Sequence, residues 1–390
     1  MTSLRKSPDL LLNGRFLTRQ MTGVDRTALN LGRQLALLSK GSGVTLNVAL
    51  PAGAPDDPTI RAALDLPTKS KIFRSRFSGY FWEQAILPFV RSRAMLLSLC
   101  NTGPALRRRQ LVLMHDAQVF DAPDSYSLPF RATYRLLLPW LARRADLIAT
   151  VSAHSRERLN AHGVGRDREI HVLPNAADHL LDIAPDPAIV ERAGLQHGGY
   201  LLALGSAAPH KNLVTLLNSL PDGSPPLVIA GGGTEVAGML AQSPVGKAIH
   251  LGRVSDAELK ALYCSAQMFL FPSLTEGFGL PPIEAMTCGC PVIVSRGGAI
   301  PEVCGDAAIY CDALDREAWK GAIRRLAGDE PMRHRLSRIG REHAARLTWQ
   351  DTARRIVELA RLADEQRPAV LPQSSHHGST HYSAGIGDVG

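Results

Sequence analysis

The chain has 390 residues, of which 45% are hydrophobic and 21% are charged, a composition that excludes a disordered or fibrous protein and fits about two globular domains. The formal net charge is +8, but the first 110 residues carry 17 Lys or Arg against 6 Asp or Glu, a net charge of +11. No apolar run reaches the about 18 residues of a membrane span, and the N-terminus lacks the apolar segment of a signal peptide, so we expect a cytoplasmic protein.

The first half of the sequence predicts strands and helices that alternate on a parallel sheet. Short apolar runs are followed by longer segments of helical periodicity, such as Ala28–Leu38 and Tyr134–Arg144. A polar, proline-containing stretch at residues 178–186 then separates the halves, so we assign residues 1–185 to the first domain. The predicted strands are Asp9–Leu12, Val44–Leu50, Gln110–Met114 and Leu147–Val151.

The second half repeats this alternation and predicts a second domain over residues 186–345. Ser255 and Glu258 have the spacing of a capping box, which predicts a helix start. Residues 346–364 predict a terminal helix, capped by Thr348, and residues 365–390 predict a disordered tail. The predicted strands are Tyr200–Gly205, Pro226–Ala230, Ala248–Gly252, Gln267–Phe271 and Pro291–Val294.

The positive charge of the first half permits more than one partner. Its densest clusters are residues 69–76, with aromatic residues at 73–82 beside them, and Arg107–Arg109. The sequence has no zinc-finger spacing, RNA-binding signature or basic zipper, so we expect no nucleic-acid partner. Peripheral contact with an anionic membrane and a merely solvated basic face remain as alternatives.

The cysteines predict reduced thiols. Cys288 and Cys290 are separated by one residue rather than the two typical of zinc ligands, and no second close pair completes a set of four. We therefore expect buried cysteines and no metal site.

A segment of the second half has the features of a diphosphate site. A predicted strand ends at Phe271, a loop contains Gly277 and Gly279, and Pro281 and Pro282 suit the first turn of a helix. The free N–H groups of such a loop and helix start bind anions. Glu276 and Glu284 lie on either side, where their carboxylates can accept hydrogen bonds from paired sugar hydroxyls.

A second loop, Leu204–Asn212, also follows a predicted strand. Lys211 can direct its ammonium at a diphosphate, and Asn212 can cap the helix that follows. A strand that ends in three glycines, Pro226–Gly233, lacks the third glycine of a dinucleotide fingerprint, because Val236 stands there. An NAD enzyme is therefore not expected.

The segment from Glu276 to Glu284 resembles the Glu-x7-Glu signature of the retaining family 4 glycosyltransferases, and the likeness extends over about residues 9–363. The resemblance implies the GT-B fold, in which two Rossmann-like domains face each other across a cleft. In that family the C-terminal domain binds most of the nucleotide sugar, and the terminal helix crosses back onto the N-terminal domain. The first domain would then face the acceptor.

The resemblance implies roles for matching residues of the second half. Glu276 is expected to bind the transferred sugar, Glu284 the ribose and Lys211 the diphosphate. Val254 is expected to contact the base through its backbone. The backbone N–H groups that would face the diphosphate belong to Gly277, Phe278, Gly279 and Leu280.

Five further positions of the resemblance depart from the family pattern or lie in the first half. Many members carry a basic residue at the position of Ser206, and here His210 is expected to supply part of that charge. Gly23 and Val24 match the first loop, which faces the donor phosphates or the acceptor. His115 matches a histidine beside the donor sugar, and a purely structural hydrogen bond is the alternative for it.

These features predict a retaining glycosyltransferase. We expect it to move a hexose, with mannose as a guess, from a nucleoside diphosphate sugar to a saccharide or polyprenyl-linked acceptor, in the assembly of cell-surface polysaccharide or glycolipid. No cofactor or metal is expected. The alternatives are a sugar-nucleotide epimerase or a phosphorylase on the same fold, and a non-enzymatic basic module that binds membranes.

Overall fold

A computed structural model describes residues 8–41, 43–166, 168–241 and 248–366. Within these ranges the strands form two parallel sheets, one in each half of the chain. The first has the spatial order β3-β2-β1-β4-β5-β6-β7 and consists of β1 (Asp9–Asn13), β2 (Thr45–Leu50), β3 (Ile72–Arg74), β4 (Met95–Ser98), β5 (Gln110–Leu113), β6 (Leu147–Thr150) and β7 (Ile170–Val172). The second has the order β10-β9-β8-β11-β12-β13 and consists of β8 (Leu201–Leu204), β9 (Leu227–Ala230), β10 (Ala248–Gly252), β11 (Met268–Phe271), β12 (Val292–Ser295) and β13 (Ala308–Cys311).

Helices connect the strands and cover both sheets. Those of the first half are α1 (Gly23–Gly41), α2 (Asp57–Leu64), α3 (Gly79–Phe81), α4 (Gln118–Asp121), α5 (Leu128–Arg144) and α6 (Ala153–Ala161). Those of the second half are α7 (Ala188–Arg192), α8 (Leu213–Leu217), α9 (Thr234–Ala241), α10 (Asp256–Ser265), α11 (Leu280–Thr287), α12 (Ile300–Cys304), α13 (Arg316–Gly328), α14 (Glu330–Ala344) and α15 (Trp349–Glu365). None of the described helices combines the length and the apolar character needed to cross a bilayer.

The two sheets confirm the predicted pair of Rossmann-like domains. Their central strands are buried along their length, as in β4 and the wholly apolar β11, because helices cover both faces of a parallel sheet. The predicted capping box is also present, with the Ser255 hydroxyl accepting from the Glu258 N–H and the Glu258 carboxylate accepting from the Ser255 N–H.

Each sheet has a point at which the strand order reverses. In the first sheet β1 lies between β2 and β4, and in the second β8 lies between β9 and β11. Connections on either side of such a point leave toward opposite faces, which opens a crevice at the carboxyl ends of the strands. The loops after β1, β8 and β11 are therefore the places where a ligand is expected to bind.

The terminal helix α15 packs against α1 of the first half. At its start, the Trp349 N–H donates to Asp178 Oδ1 at 3.1 Å and the Thr352 hydroxyl donates to the Pro174 carbonyl at 2.7 Å. Near its end, Asp364 pairs with Arg109 at 2.5 Å. The helix continues to Glu365, so the first residue of the predicted tail is helical, and residues 367–390 of that tail lie outside the described residues.

Candidate active site

The loops at the two reversal points meet in a cleft of about 410 Å³ between the domains. Its walls combine the start of α1 and the end of β5 from the first domain with the loops after β8 and β11 from the second. Ten of the residues predicted from the sequence line this cleft: Gly23, Val24, His115, Lys211, Glu276, Gly277, Phe278, Gly279, Leu280 and Glu284.

The loop after β11 turns directly into α11. Gly279 adopts a φ of 91°, which lies in the left-handed region that favours glycine, and Leu280 then begins the helix with prolines in its first turn. Because prolines have no N–H group, they leave no donor unsatisfied in that turn. Phe278, Gly279 and Leu280 line the cleft, so the free N–H groups of this helix start can bind a negatively charged group there.

Gly277 is tightly packed against the first domain. A Cβ atom at this position would lie 2.5 Å from the His115 carbonyl oxygen and 2.6 Å from the Asp116 Cβ. Its own carbonyl accepts hydrogen bonds from the hydroxyls of Ser152 at 2.6 Å and Ser155 at 2.9 Å. The first domain thus holds the loop of the second by two side-chain hydrogen bonds to its backbone.

Lys211 and Glu276 form an ion pair inside the cleft. The Lys211 Nζ lies 2.7 Å from Glu276 Oε1, and the carboxylate is nearly buried while the ammonium is partly exposed. The same Nζ lies 5.7 Å from the centre of the Phe271 ring. An anion that enters the cleft can therefore pair with the Lys211 ammonium, which Glu276 and Phe271 already hold in position.

Glu284 is buried in the middle of α11. Burial raises the pKa of Glu284 above its ordinary value, while the positive charge of Arg26 opposes that rise. The Tyr263 hydroxyl donates to Glu284 Oε2 at 3.3 Å. Arg26 itself extends from α1 of the first domain and pairs with Asp256 of the second at 2.6 Å.

His115 and Asp116 follow β5 and complete the wall that belongs to the first domain. The His115 Nε2–H donates to the Leu99 carbonyl at 2.8 Å, which leaves Nδ1 as the acceptor. Burial lowers the pKa of His115 to about 4, so the ring is neutral at pH 7. Burial raises the pKa of Asp116 to about 6, and the Gln118 N–H opposes that rise.

Arg26 and Asp116 are cleft residues that the sequence reasoning missed. Arg26 stands three residues after Gly23, and Asp116 directly follows His115, so both were adjacent to predicted site residues. Their positions in the sequence could have predicted them, since side chains that follow a strand or begin a helix at the carboxyl edge of a sheet tend to face the crevice.

Three predicted site residues do not line the cleft. The Ser206 hydroxyl accepts from the Ala208 N–H at 3.3 Å within its own turn, and Val254 packs against the core. His210 turns away, so that its Nδ1 lies 3.0 Å from the Ser125 hydroxyl. Asn212 does not cap α8 either, because its amide instead donates to the Pro272 and Ala313 carbonyls at 3.0 and 2.7 Å.

Comparison with known proteins assigns this arrangement to a family. The family described as "Glycosyl transferases group 1" matches residues 192–343. The O-antigen chain mannosyltransferase RfbU of Salmonella typhimurium is 31% identical over 255 residues, which are 64% of this chain and 69% of that protein. The chain belongs to the group 1 glycosyltransferases. The O-antigen chain mannosyltransferase B of Escherichia coli is 30% identical over 274 residues, which are 66% of this glycosyltransferase and 72% of that protein.

The fold of this glycosyltransferase is also found among solved structures. Sucrose-phosphate synthase from Thermosynechococcus elongatus superposes with a TM-score of 0.73 at 18% identity, over 92% of this chain and 99% of that one. This likeness confirms the predicted GT-B fold. The family match includes Lys211, Glu276 and Glu284.

Proposed function

We propose that this glycosyltransferase moves mannose from a nucleoside diphosphate donor to a hydroxyl of a saccharide or polyprenyl-linked acceptor, with retention of configuration at the sugar. Mannose is chosen because both O-antigen relatives described above are named mannosyltransferases. The same names support a place in the assembly of cell-surface polysaccharide or glycolipid. Contact with an anionic membrane is part of the proposal, since a lipid-linked acceptor is held at a bilayer surface.

The observation that carries the proposal is the convergence of Lys211, Glu276 and the start of α11 in one cleft. The reaction breaks the bond between the sugar and the diphosphate, so negative charge grows on the leaving oxygen. Lys211 and the N–H groups around Gly277 would receive that charge. A preorganised donor of this kind contributes roughly 3 kcal/mol to the transition state.

The two glutamates would then hold opposite ends of the donor. Glu284, on α11, would accept hydrogen bonds from the ribose hydroxyls, and Glu276 would bind the transferred sugar. When the diphosphate takes the Lys211 ammonium, the Glu276 carboxylate is released to accept from a sugar hydroxyl. His115 would contact that sugar from the first domain through its unprotonated Nδ1.

The proposed reaction proceeds by attack of the acceptor hydroxyl on the same face from which the diphosphate leaves. The C–O bond to the acceptor forms as the C–O bond to the phosphate breaks, and the acceptor proton passes to the departing phosphate oxygen. The proposal includes no metal ion, because Lys211 and the helix start supply the positive charge. Turnover that is unchanged by EDTA would support this part, and loss of activity that Mg²⁺ restores would contradict it.

The first test is calorimetric titration of the purified protein with GDP, UDP, ADP and dTDP. Micromolar binding of one nucleotide that weakens in Glu284→Ala would support the donor site and identify the base. Absence of binding to all four would contradict it. Release of that nucleotide from its mannose conjugate only when a saccharide acceptor is added would then distinguish transfer from epimerisation or phosphorolysis.

A further inference from the structure

We propose that the glycosyltransferase docks on an anionic phospholipid surface through the exposed side of α5, hereafter the α5 face. Four exposed or partly exposed apolar residues define this face, at a spacing of four residues along the helix. They are Leu128, Ala132, Leu136 and Trp140. The inference specifies the membrane contact of the proposed function and does not depend on sugar transfer.

The exposure of these side chains is unusual for a helix of a globular domain. Leu128 is 74% exposed, Leu136 is 78% exposed and Trp140 is 47% exposed. A helix that packs on a sheet normally turns such residues inward. In α5 the inward side is already occupied, because Leu138, Leu141 and Ala142 are buried in the core of the first domain.

The charges of α5 all have one sign. The helix contains Arg131, Arg135, Arg143 and Arg144 and no acidic residue. None of these arginines forms an ion pair with another residue in the described part of the chain, although Arg144 lies over the Trp140 ring at 5.9 Å. An apolar stripe flanked by unpaired arginines is the pattern of a helix that lies in the headgroup region of an anionic bilayer.

The segments around Gln84 and around Ala105 lie beside the α5 face and extend it. Ala105 links them, because its carbonyl accepts from Trp140 Nε1 at 3.1 Å and its N–H donates to the Gln84 side chain at 2.8 Å. Next to it, Leu106 is exposed. All exposed aromatic residues among the described ones come from this part of the chain, namely Phe77, Tyr80, Phe81, Phe89 and Trp140.

Some residues of the two segments considered in the sequence are not available to a membrane. In the aromatic stretch beside the first basic cluster, Trp82 belongs to the core rather than to the surface. In the second cluster, Arg107 is buried and donates to backbone carbonyls that include Val90 and Ala94, and Arg109 pairs with Asp364. Of these three arginines, Arg108 is the exposed one.

At the C-terminal end of α5 a basic pocket of about 540 Å³ opens beside the terminal helix. Its volume is comparable to that of a small ligand site and can hold a phospholipid headgroup. Its charged lining residues include Arg108, Arg143, Arg144 and Arg168 against Asp146 and Glu169. The pocket therefore favours a phosphate over a cation.

The α5 face also has a functional position. Just before α5, the Tyr126 hydroxyl donates to the Gln118 side chain at 3.1 Å, and Gln118 lines the cleft. A bilayer that lies against the α5 face would thus be next to the cleft wall of the first domain. A lipid-linked acceptor could reach the cleft without leaving the membrane.

Flotation with phosphatidylcholine vesicles, with and without about 30% phosphatidylglycerol, tests the proposal without any sugar nucleotide. We expect binding to the anionic vesicles, and a fall of about tenfold or more in the bound fraction for Leu136→Glu/Trp140→Glu and for Arg135→Glu/Arg143→Glu. The matched controls are Leu314→Glu and Arg324→Glu/Arg325→Glu, which change exposed residues of the second domain and should bind as the parent does.

Trp140 provides a second readout. The other three tryptophans, Trp82, Trp319 and Trp349, are fully buried, so a blue shift of fluorescence on adding vesicles would report on Trp140. We expect that shift to disappear in Trp140→Phe while flotation persists. Flotation of the α5 variants at the parent level, or an equal loss in the controls, would overturn the proposal.

The other occupant of such a face is a second copy of the chain. Sedimentation velocity of the parent and of Leu136→Glu/Trp140→Glu separates the two cases. A dimer that this variant dissociates would show that protein covers the face, and would overturn the membrane assignment. If the parent and the variant are both monomers, the membrane assignment is supported. Unchanged nucleotide titration in the variant shows that it is folded.

Discussion

The Lys211 ammonium lies 2.7 Å from the Glu276 carboxylate, so the two groups most suited to bind a nucleotide sugar neutralise each other in the cleft. The pair joins the loop after β8 to the loop after β11. The ion pair fixes the orientation of both side chains. The site thus holds its cation in place before any ligand arrives.

Replacing Lys211 is expected to lower turnover strongly. In Lys211→Ala the leaving diphosphate loses its cation, and kcat at saturating donor should fall about 100-fold or more. Glu276→Ala should cause a loss of similar size, because the hydroxyls of the transferred sugar lose the carboxylate that accepts their hydrogen bonds. Steady-state kinetics of nucleotide release would measure both.

Ser206→Ala is the matched control in the same loop. Ser206 does not line the cleft and bonds within its own turn, so its kcat should stay near that of the parent. Near-normal kcat of Lys211→Ala at saturating donor would contradict the assignment of Lys211 to the diphosphate.

The sequence predicted the local parts of this site because each depends on neighbouring residues. The strand before Glu276, the glycine at position 279 and the prolines that begin α11 all follow from short-range rules. Short strands with half-exposed residues, such as β3 and β13, were missed, since they lack a long apolar run.

Contacts between the domains could not be predicted in this way. Gly277 and His115 are far apart in the chain, and their approach depends on how two complete sheets face each other. The same holds for Arg26 and Asp256, which have no pattern in common. A single sequence considered by itself contains no signal for such pairs.

Arg26 is expected to control the pH dependence of nucleotide binding. Burial raises the Glu284 pKa and Arg26 opposes the rise, so Arg26→Ala should raise that pKa further. Because ribose hydroxyls donate to the ionised carboxylate, the acid limb of the binding curve should move to higher pH. Calorimetric Kd values over a pH series would show it.

Arg26→Lys is the control for this prediction, since it keeps the charge beside Glu284. Its acid limb should stay close to that of the parent. An acid limb in Arg26→Ala that does not move would contradict the link between Arg26 and Glu284, whatever the change in affinity at neutral pH.

His115 and Asp116 are expected to oppose each other in the pH dependence of stability. The pKa of His115 is lowered to about 4 in the folded state, so its contribution is full above about 6.5 and is lost as the pH falls toward 4. The pKa of Asp116 is raised to about 6, so its contribution is full below about 4 and is lost as the pH rises through 6.

Single substitutions should reveal the two opposing contributions. Asp116→Asn should lose more unfolding free energy than the parent between pH 6.5 and pH 4.5, because the His115 contribution is then uncompensated. His115→Gln should lose less than the parent over the same interval. Urea unfolding at several pH values measures this, and equal pH slopes in all three proteins would contradict the burial of both groups.

Gly277→Ala is expected to separate the two domains. The added methyl group would lie 2.5 Å from the His115 carbonyl oxygen, a distance that backbone atoms cannot accommodate without a shift. The hydrogen bonds from Ser152 and Ser155 to the Gly277 carbonyl would lengthen with it. Since the cleft is built from both domains, turnover should fall about 100-fold, and small-angle scattering should show a larger radius of gyration.

Gly321→Ala is the control, because no atom lies within 4 Å of its added Cβ and the glycine is within α13. It should keep full activity and gain roughly 0.5–1 kcal/mol of stability. A compact, active Gly277→Ala protein would show that the domains do not need this contact to form the site.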